Sequence, residues 1–161
     1  MLLSTEIEGL SGRFGEAEAI RIVSRAGFEA FDLSLFCMYS NENSPFNGDG
    51  YLEYAHSLRA IADECGIVCN QAHAPFPTGV GTERDEEIFQ KVVRSLEIAS
   101  VLGAKIIVVH PIHYLYHAKH SEETKQLNLA FYRRLIPYCE KYQIQVATEN
   151  MWRGHRWDRT R

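Results

Sequence analysis

The sequence predicts an α/β fold of the parallel (β/α) barrel type, with about five strands and four helices, and so an incomplete barrel. Three observations carry this expectation. Amphipathic helical stretches alternate with short apolar or β-branched runs along the chain. Three of the helices close on a glycine that leads straight into the next strand. Polar side chains able to hold a metal or move a proton fall at the ends of the strands, the face on which barrels build their sites.

The elements follow in order. A first strand is expected near Leu2–Thr5. Residues 17–26 have helical apolar spacing, with Ile20, Val23 and Ala26 on one face, and Gly27 ends the helix before a strand over 28–36. Residues 37–50, rich in Ser, Asn, Pro and Gly, read as an irregular loop. The helix over 51–65 carries Leu52, Ala55, Leu58, Ala62 and Cys65 on one stripe and stops at Gly66, ahead of a strand over 67–73. A third helix opens at Thr82-Glu-Arg-Asp85, a start resembling a capping box with acids in the first turn. Its inner face is Ile88, Val92, Leu96 and Ala99, and Gly103 closes it. Residues 105–110 are nearly all β-branched, as in a strand covered on both faces. The fourth helix, 122–141, lacks a terminal glycine and contains Pro137, which is expected to kink its last turns. A fifth strand spans 144–149. Strand–helix alternation of this kind implies parallel strands in sequence order with right-handed crossovers.

Composition narrows the function. A net charge of −4 offers no broad attraction to nucleic acid or an anionic membrane, so both partners are disfavoured. No apolar run approaches the ~20 residues that span a bilayer, and the first residues lack the pattern of a signal peptide. Cys37, Cys65, Cys69 and Cys139 form no Cys-x-x-Cys pair; read as reduced thiols, they suit a cytoplasmic protein. No Gly-x-Gly-x-x-Gly follows a strand, which weakens a dinucleotide-binding reading.

Four polar residues stand at or near strand ends: Asp32, His73, His110 and Glu149. Imidazoles and carboxylates converging there are the ingredients of a divalent-metal site. Each also has a plainer reading. A single strand-end histidine is often a hydrogen-bonded structural residue, and Asp32 reads as a loop-capping acid. Glu149, following Val146-Ala147-Thr148, is placed by the sequence in a largely buried strand, where an unpaired charge is costly, so a cation, metal or Arg partner is expected. His113, His117 and His120 read as solvated loop residues, a lid over the site, with metal ligation the minority alternative.

Gly27-Phe-Glu-Ala-Phe-Asp-Leu33, Asn70-Gln-Ala-His-Ala-Pro75, Leu102-Gly-Ala-Lys-Ile-Ile-Val-Val-His-Pro111 and Ala147-Thr-Glu-Asn150 together resemble successive strand motifs of the sugar phosphate isomerase/epimerase family. That family shares its xylose isomerase-like TIM barrel with the apurinic endonucleases. The resemblance covers residues 1–152, as the N-terminal part of such a barrel, and leaves 153–161 as an Arg-rich tail. It implies that Glu149 is a metal ligand able to act in proton transfer. It implies that His73 and His110 line a sugar pocket or assist acid–base steps, or ligate zinc in the endonuclease branch. Asp32 stands where the family usually has Glu. The implied cofactor is a divalent ion (Mn, Mg or Zn) whose remaining ligands lie outside this chain, since a full barrel has eight strands and about 250 residues. The implied partner is a small sugar or sugar phosphate, with metal-assisted isomerisation or epimerisation through an enediolate. An apurinic-endonuclease-like nuclease is the alternative. A non-catalytic fragment that self-associates through its open sheet edges is another. This chain alone is expected to be poorly active.

Overall fold

A computed structural model of the chain describes residues 1–113, 115 and 117–151, and for residues 117–119 the backbone alone. Five strands, β1 (Ser4–Glu6), β2 (Ala30–Ser34), β3 (Val68–His73), β4 (Ile106–Val108) and β5 (Gln145–Ala147), form one sheet in sequence order. Every neighbouring pair is parallel. Among the described residues β1 and β5 are the two edges, so the sheet is open.

Helices cover the outer face of the sheet. The expected ones appear as α2 (Glu16–Arg25), α4 (Tyr51–Cys65), α5 (Asp85–Val101) and α6 (His117–Tyr142). Two short helices were not anticipated: α1 (Glu8–Phe14), which fully buries no residue and packs Leu10 half-buried against the core, and the single turn α3 (Cys37–Ser40) inside the expected loop. The buried face of α5 contains all four expected residues and adds Phe89, Val93, Ser95 and Ile98. In α2 the buried set is Ala19, Ile20 and Val23; Ala26 instead lies past the helix end and is exposed.

The turns from helix to strand follow the glycine pattern. Gly27, Gly66 and Gly103 have φ of 91°, 67° and 91°, a left-handed conformation that costs a side-chain-bearing residue about 1–2 kcal/mol. After α6 the same place is taken by Gln143, with φ of 53°. Two expected helix features are corrected. Helix α5 begins at Asp85 rather than Thr82, because the Asp85 carboxylate reaches back to accept from the backbone N–H of Val80 and Gly81 and holds 82–84 as a turn. In α6 the non-helical dihedrals fall at His120 (φ −128°, ψ 29°) and not at Pro137. Pro137 and Arg133 are both exposed, so the Arg133 carbonyl that loses its donor faces water, and the helix continues.

Side-chain direction alternates along the strands. Phe31 and Leu33 of β2, Cys69 and Ala72 of β3 and Ile107 of β4 enter the core against the helices. On the inner face β1, β2 and β3 align Glu6, Asp32 and Gln71 in one row, and a second row aligns Ser34, His73, Val108 and Ala147. The strict period of two is broken once. Phe31 pairs with Cys69 and Asp32 with Gln71, so Asn70 is an extra, unpaired residue in β3. The inner face is not covered at its lower end, where Val68 and Ile106 are 46% and 38% exposed. The expected burial of residues 105–110 on both faces therefore does not hold at Ile106.

Candidate active site

The layered inner face explains which polar groups meet. His73 lies in the second row, one same-face step above Asp32 and one below His110 and Glu149, which follow Val108 and Ala147 by two residues. Its Nδ1 is 3.0 Å from Asp32 Oδ1, and its Nε2 is 3.6 Å from Glu149 Oε1. The other Glu149 oxygen, Oε2, is 3.3 Å from His110 Nε2. Gln71 Nε2 donates to Asp32 Oδ2 at 2.6 Å. The result is one continuous polar chain, Gln71–Asp32–His73–Glu149–His110, across four strands and their C-terminal ends.

The sequence misplaces two of these residues. Asp32 is no loop cap: it is a buried strand residue bonded to His73 and Gln71. Glu149 does not lie in a buried strand either. It follows β5 by two residues and its side chain is 53% exposed; among the described residues its ion-pair partners are the two imidazoles.

Aromatic rings border the polar chain. Phe36, just past β2, has its ring centroid 6.0 Å from His73 and 5.7 Å from His110; Phe76, just past β3, is 5.1 Å from His110. The sequence marks neither ring as part of the site: Phe36 reads as the last residue of the strand over 28–36 and Phe76 falls between a strand and a helix, and neither position says what the ring packs against. His113 stacks on Phe76 (5.5 Å, 8° between planes) and is half-buried, which corrects its reading as solvated. His120 is exposed and pairs with Glu123 at 2.9 Å; it and His117 belong to α6 and not to a loop. The His117 side chain and residues 153–161 lie outside the described residues. Around the site, Thr78 donates to the His110 carbonyl at 2.6 Å, and Asn128 of α6 clasps both the N–H and the carbonyl of Ile112 at 2.7 Å. These bonds fix the segments that leave β3 and β4.

Burial and charge act differently on the two histidines. Burial works to lower the pKa of His73, but the hydrogen bond and charge of Asp32, with help from Glu149, outweigh it and raise the value. Burial lowers the pKa of His110, and Glu149 only partly opposes this. Burial also raises the Glu6 carboxyl, beside Asp32. In the metal-free chain the NMR titrations of His73 and His110 are therefore expected to straddle the ordinary imidazole value of ~6.5, with His73 above it. The stability from His73 is complete below ~6.5 and is lost as pH rises through its folded value; that from His110 is present above ~6.5 and is lost as pH falls. A His110 midpoint above that of His73 would contradict this geometry.

One ligand atom from each of His73, His110 and Glu149 lies within 4.8 Å of the other two. Two neutral imidazoles and a carboxylate are a donor set that fits a divalent ion such as zinc, and a carboxylate behind one imidazole is the usual outer-shell arrangement.

Comparison with known proteins agrees with this architecture. The family model of the xylose isomerase-like TIM barrel matches residues 20–160. The chain belongs to the xylose isomerase-like TIM barrel family. Among solved structures it is similar to an apo 3-keto-D-glucoside 4-epimerase from E. coli (17% identity, TM-score 0.72, 96% of this chain and 59% of that one). It is also similar to a D-tagatose 3-epimerase-like protein (19%, 0.67, 96% and 55%). A third is a xylose isomerase-like TIM barrel protein from Mycobacterium smegmatis in complex with magnesium (14%, 0.63, 94% and 55%). At these identities the likeness is one of fold, and the chain spans little more than half the length of each. No curated protein matches the chain. Among the described residues of this xylose isomerase-like chain, no helix is long and apolar enough to cross a membrane.

Proposed function

We propose that residues 1–152 supply the first five strands of a metal-dependent isomerase or epimerase acting on a sugar or sugar phosphate, with 153–161 as an Arg-rich tail. The observation that carries this reading is the convergence of Glu149 with His73 and His110 at the C-terminal end of a parallel sheet. A bound Mn²⁺, Mg²⁺ or Zn²⁺ would polarise the carbonyl and alkoxide oxygens of the substrate. Glu149 presents one oxygen toward each imidazole, so one can serve as ligand while the other takes a proton from the carbon beside the carbonyl. His73 and His110 bind substrate hydroxyls or hold the ion, and Phe36 and Phe76 limit water beside them. Proton transfer then runs through an enediolate, with the remaining ligands supplied from outside this chain.

A second reading, an apurinic-endonuclease-like nuclease, is favoured by one feature: two imidazoles on one carboxylate form the nitrogen-rich set that zinc prefers. Against it, no Lys or Arg is a hydrogen-bond or ion-pair partner of Asp32, His73, His110 or Glu149 among the described residues, and phosphate contacts are what hold DNA.

Solvent exchange separates the readings. The chain is incubated in D₂O with each ion and a panel of ketoses, aldoses and their phosphates, and deuterium at the carbon next to the carbonyl is followed by mass spectrometry. Slow, ion-dependent incorporation with at least one sugar, but little net turnover, is the expected result. Ion-dependent cleavage of abasic DNA, with no exchange in any sugar, would turn the assignment to the nuclease.

A further inference from the structure

We propose that Asp32 is a positioning residue that fixes His73 as its Nδ1–H tautomer and aims the Nε2 lone pair into the space shared with His110 and Glu149. The inference rests on the reading above, that this space takes a divalent ion, and names the residue that prepares the chain for it.

The geometry decides which ring nitrogen of His73 carries the proton. Asp32 is 8% exposed and uses both carboxylate oxygens. Oδ2 accepts from Gln71 Nε2 at 2.6 Å, and an amide N–H₂ can only donate. Oδ1 is 3.0 Å from His73 Nδ1, within hydrogen-bond range, so the neutral ring places its proton on that side. On the other side Nε2 is 3.6 Å from Glu149 Oε1, too far for a good hydrogen bond. Histidine in water prefers the opposite tautomer, with the proton on Nε2, so the protein must impose the one that this geometry selects.

Backbone register makes this possible. Asp32 lies in β2 one same-face step before Ser34, the Cα partner of His73, so the carboxylate sits directly beneath the ring. His110 provides the contrast. Its Nε2 faces Glu149 at 3.3 Å, but its buried Nδ1 has no hydrogen-bond partner among the described residues, so none of these holds its tautomer in the same way. Of the two imidazoles, His73 is the one prepared in advance. A carboxylate behind a ligating histidine orients the ring and raises its basicity, and losing it typically weakens ion binding about 10–100-fold.

The test begins with the metal-free, ¹⁵N-histidine-labelled chain at a pH above the imidazole range. Long-range ¹H–¹⁵N correlation spectra report which nitrogen bears the proton. The expected result is a protonated Nδ1 and a bare Nε2 for His73; a predominantly protonated Nε2 would overturn the inference without any variant being made. The Asp32→Asn chain keeps the volume but has one acceptor for two donors. It is expected to shift His73 toward the Nε2–H form and to bind Zn²⁺ about 10–100-fold more weakly by calorimetry, with an otherwise native amide spectrum. Unchanged Zn²⁺ affinity in a folded Asp32→Asn chain would also overturn it. Should that variant fail to fold, Gln71→Leu removes only the second donor and is expected to preserve the Nδ1–H form; its loss would count against Asp32 as the anchor. If the unaltered chain binds no Zn²⁺ while His73 is the Nδ1–H tautomer, the ion-site reading fails and the tautomer assignment stands.

Discussion

Glu149→Ala is expected to weaken Zn²⁺ binding by the chain by more than ~100-fold, the upper end of what an outer-shell loss costs. Three donors converge on the proposed ion space, and Glu149 is the member that touches both others, through a different oxygen to each. Removing it leaves two neutral imidazoles and takes away the charge that balances a dication. His73→Ala and His110→Ala are expected to fall in the same range, since three protein ligands and an open position are the usual minimum for a catalytic zinc. Glu123→Ala serves as the control: it removes an exposed carboxylate that pairs with His120 in α6 and should leave affinity unchanged. Titration calorimetry of the four variants decides it. Equal loss in Glu123→Ala and Glu149→Ala would reduce the effect to net charge and remove the site.

The largest expected effect on stability comes from Phe31→Ala. Phe31 is fully buried in β2, between Thr5 of β1 and Cys69 of β3, and points into the helix-covered core. Truncating a buried phenylalanine costs about 3–5 kcal/mol, the lost transfer energy plus the cavity left behind. That is a large part of the ~5–15 kcal/mol that holds a typical domain folded. At roughly 2–4 °C per kcal/mol for a chain of this size, the midpoint should fall by about 6–20 °C. Phe14→Ala, half exposed at the end of α1, should stay within ~0.5 kcal/mol. Thermal unfolding followed by circular dichroism checks both. A Phe31→Ala loss below ~1 kcal/mol would show that the core around β2 collapses onto the vacated space.

The sheet order and the alternation of strands and helices are legible in the sequence because each element carries its own signal. Gly27, Gly66 and Gly103 mark the turns, and the α5 stripe at 88, 92, 96 and 99 marks a buried helix face. The residues of the polar chain are legible by type and position: His73 closes β3, and His110 and Glu149 follow the ends of β4 and β5 by two residues. What connects them is not. Asp32 finds its partners 39 and 41 residues away, through strand pairing that no local pattern encodes. The exposure of Glu149 also escapes a sequence reading, because β5 stops at Ala147 and a chain leaving the sheet frees the next side chains from the core. The start of α5 is misjudged for a different reason. Thr82 and Asp85 both satisfy a capping pattern, and only the folded turn decides which carboxylate or hydroxyl reaches the free N–H groups.

Asn70 also governs how this strand can be set beside others. Counting by twos from Cys69, a helix-side residue, would put His73 among the buried core positions; the extra residue reverses that parity and brings the imidazole to the inner face. A related strand that lacks the insertion therefore lines up with β3 only when a single gap is opened opposite Asn70. Without that gap every residue on one side of the insertion shifts by one column. A histidine of equivalent position would then be matched to Ala72 or Ala74, and a shared site would pass for two unrelated ones.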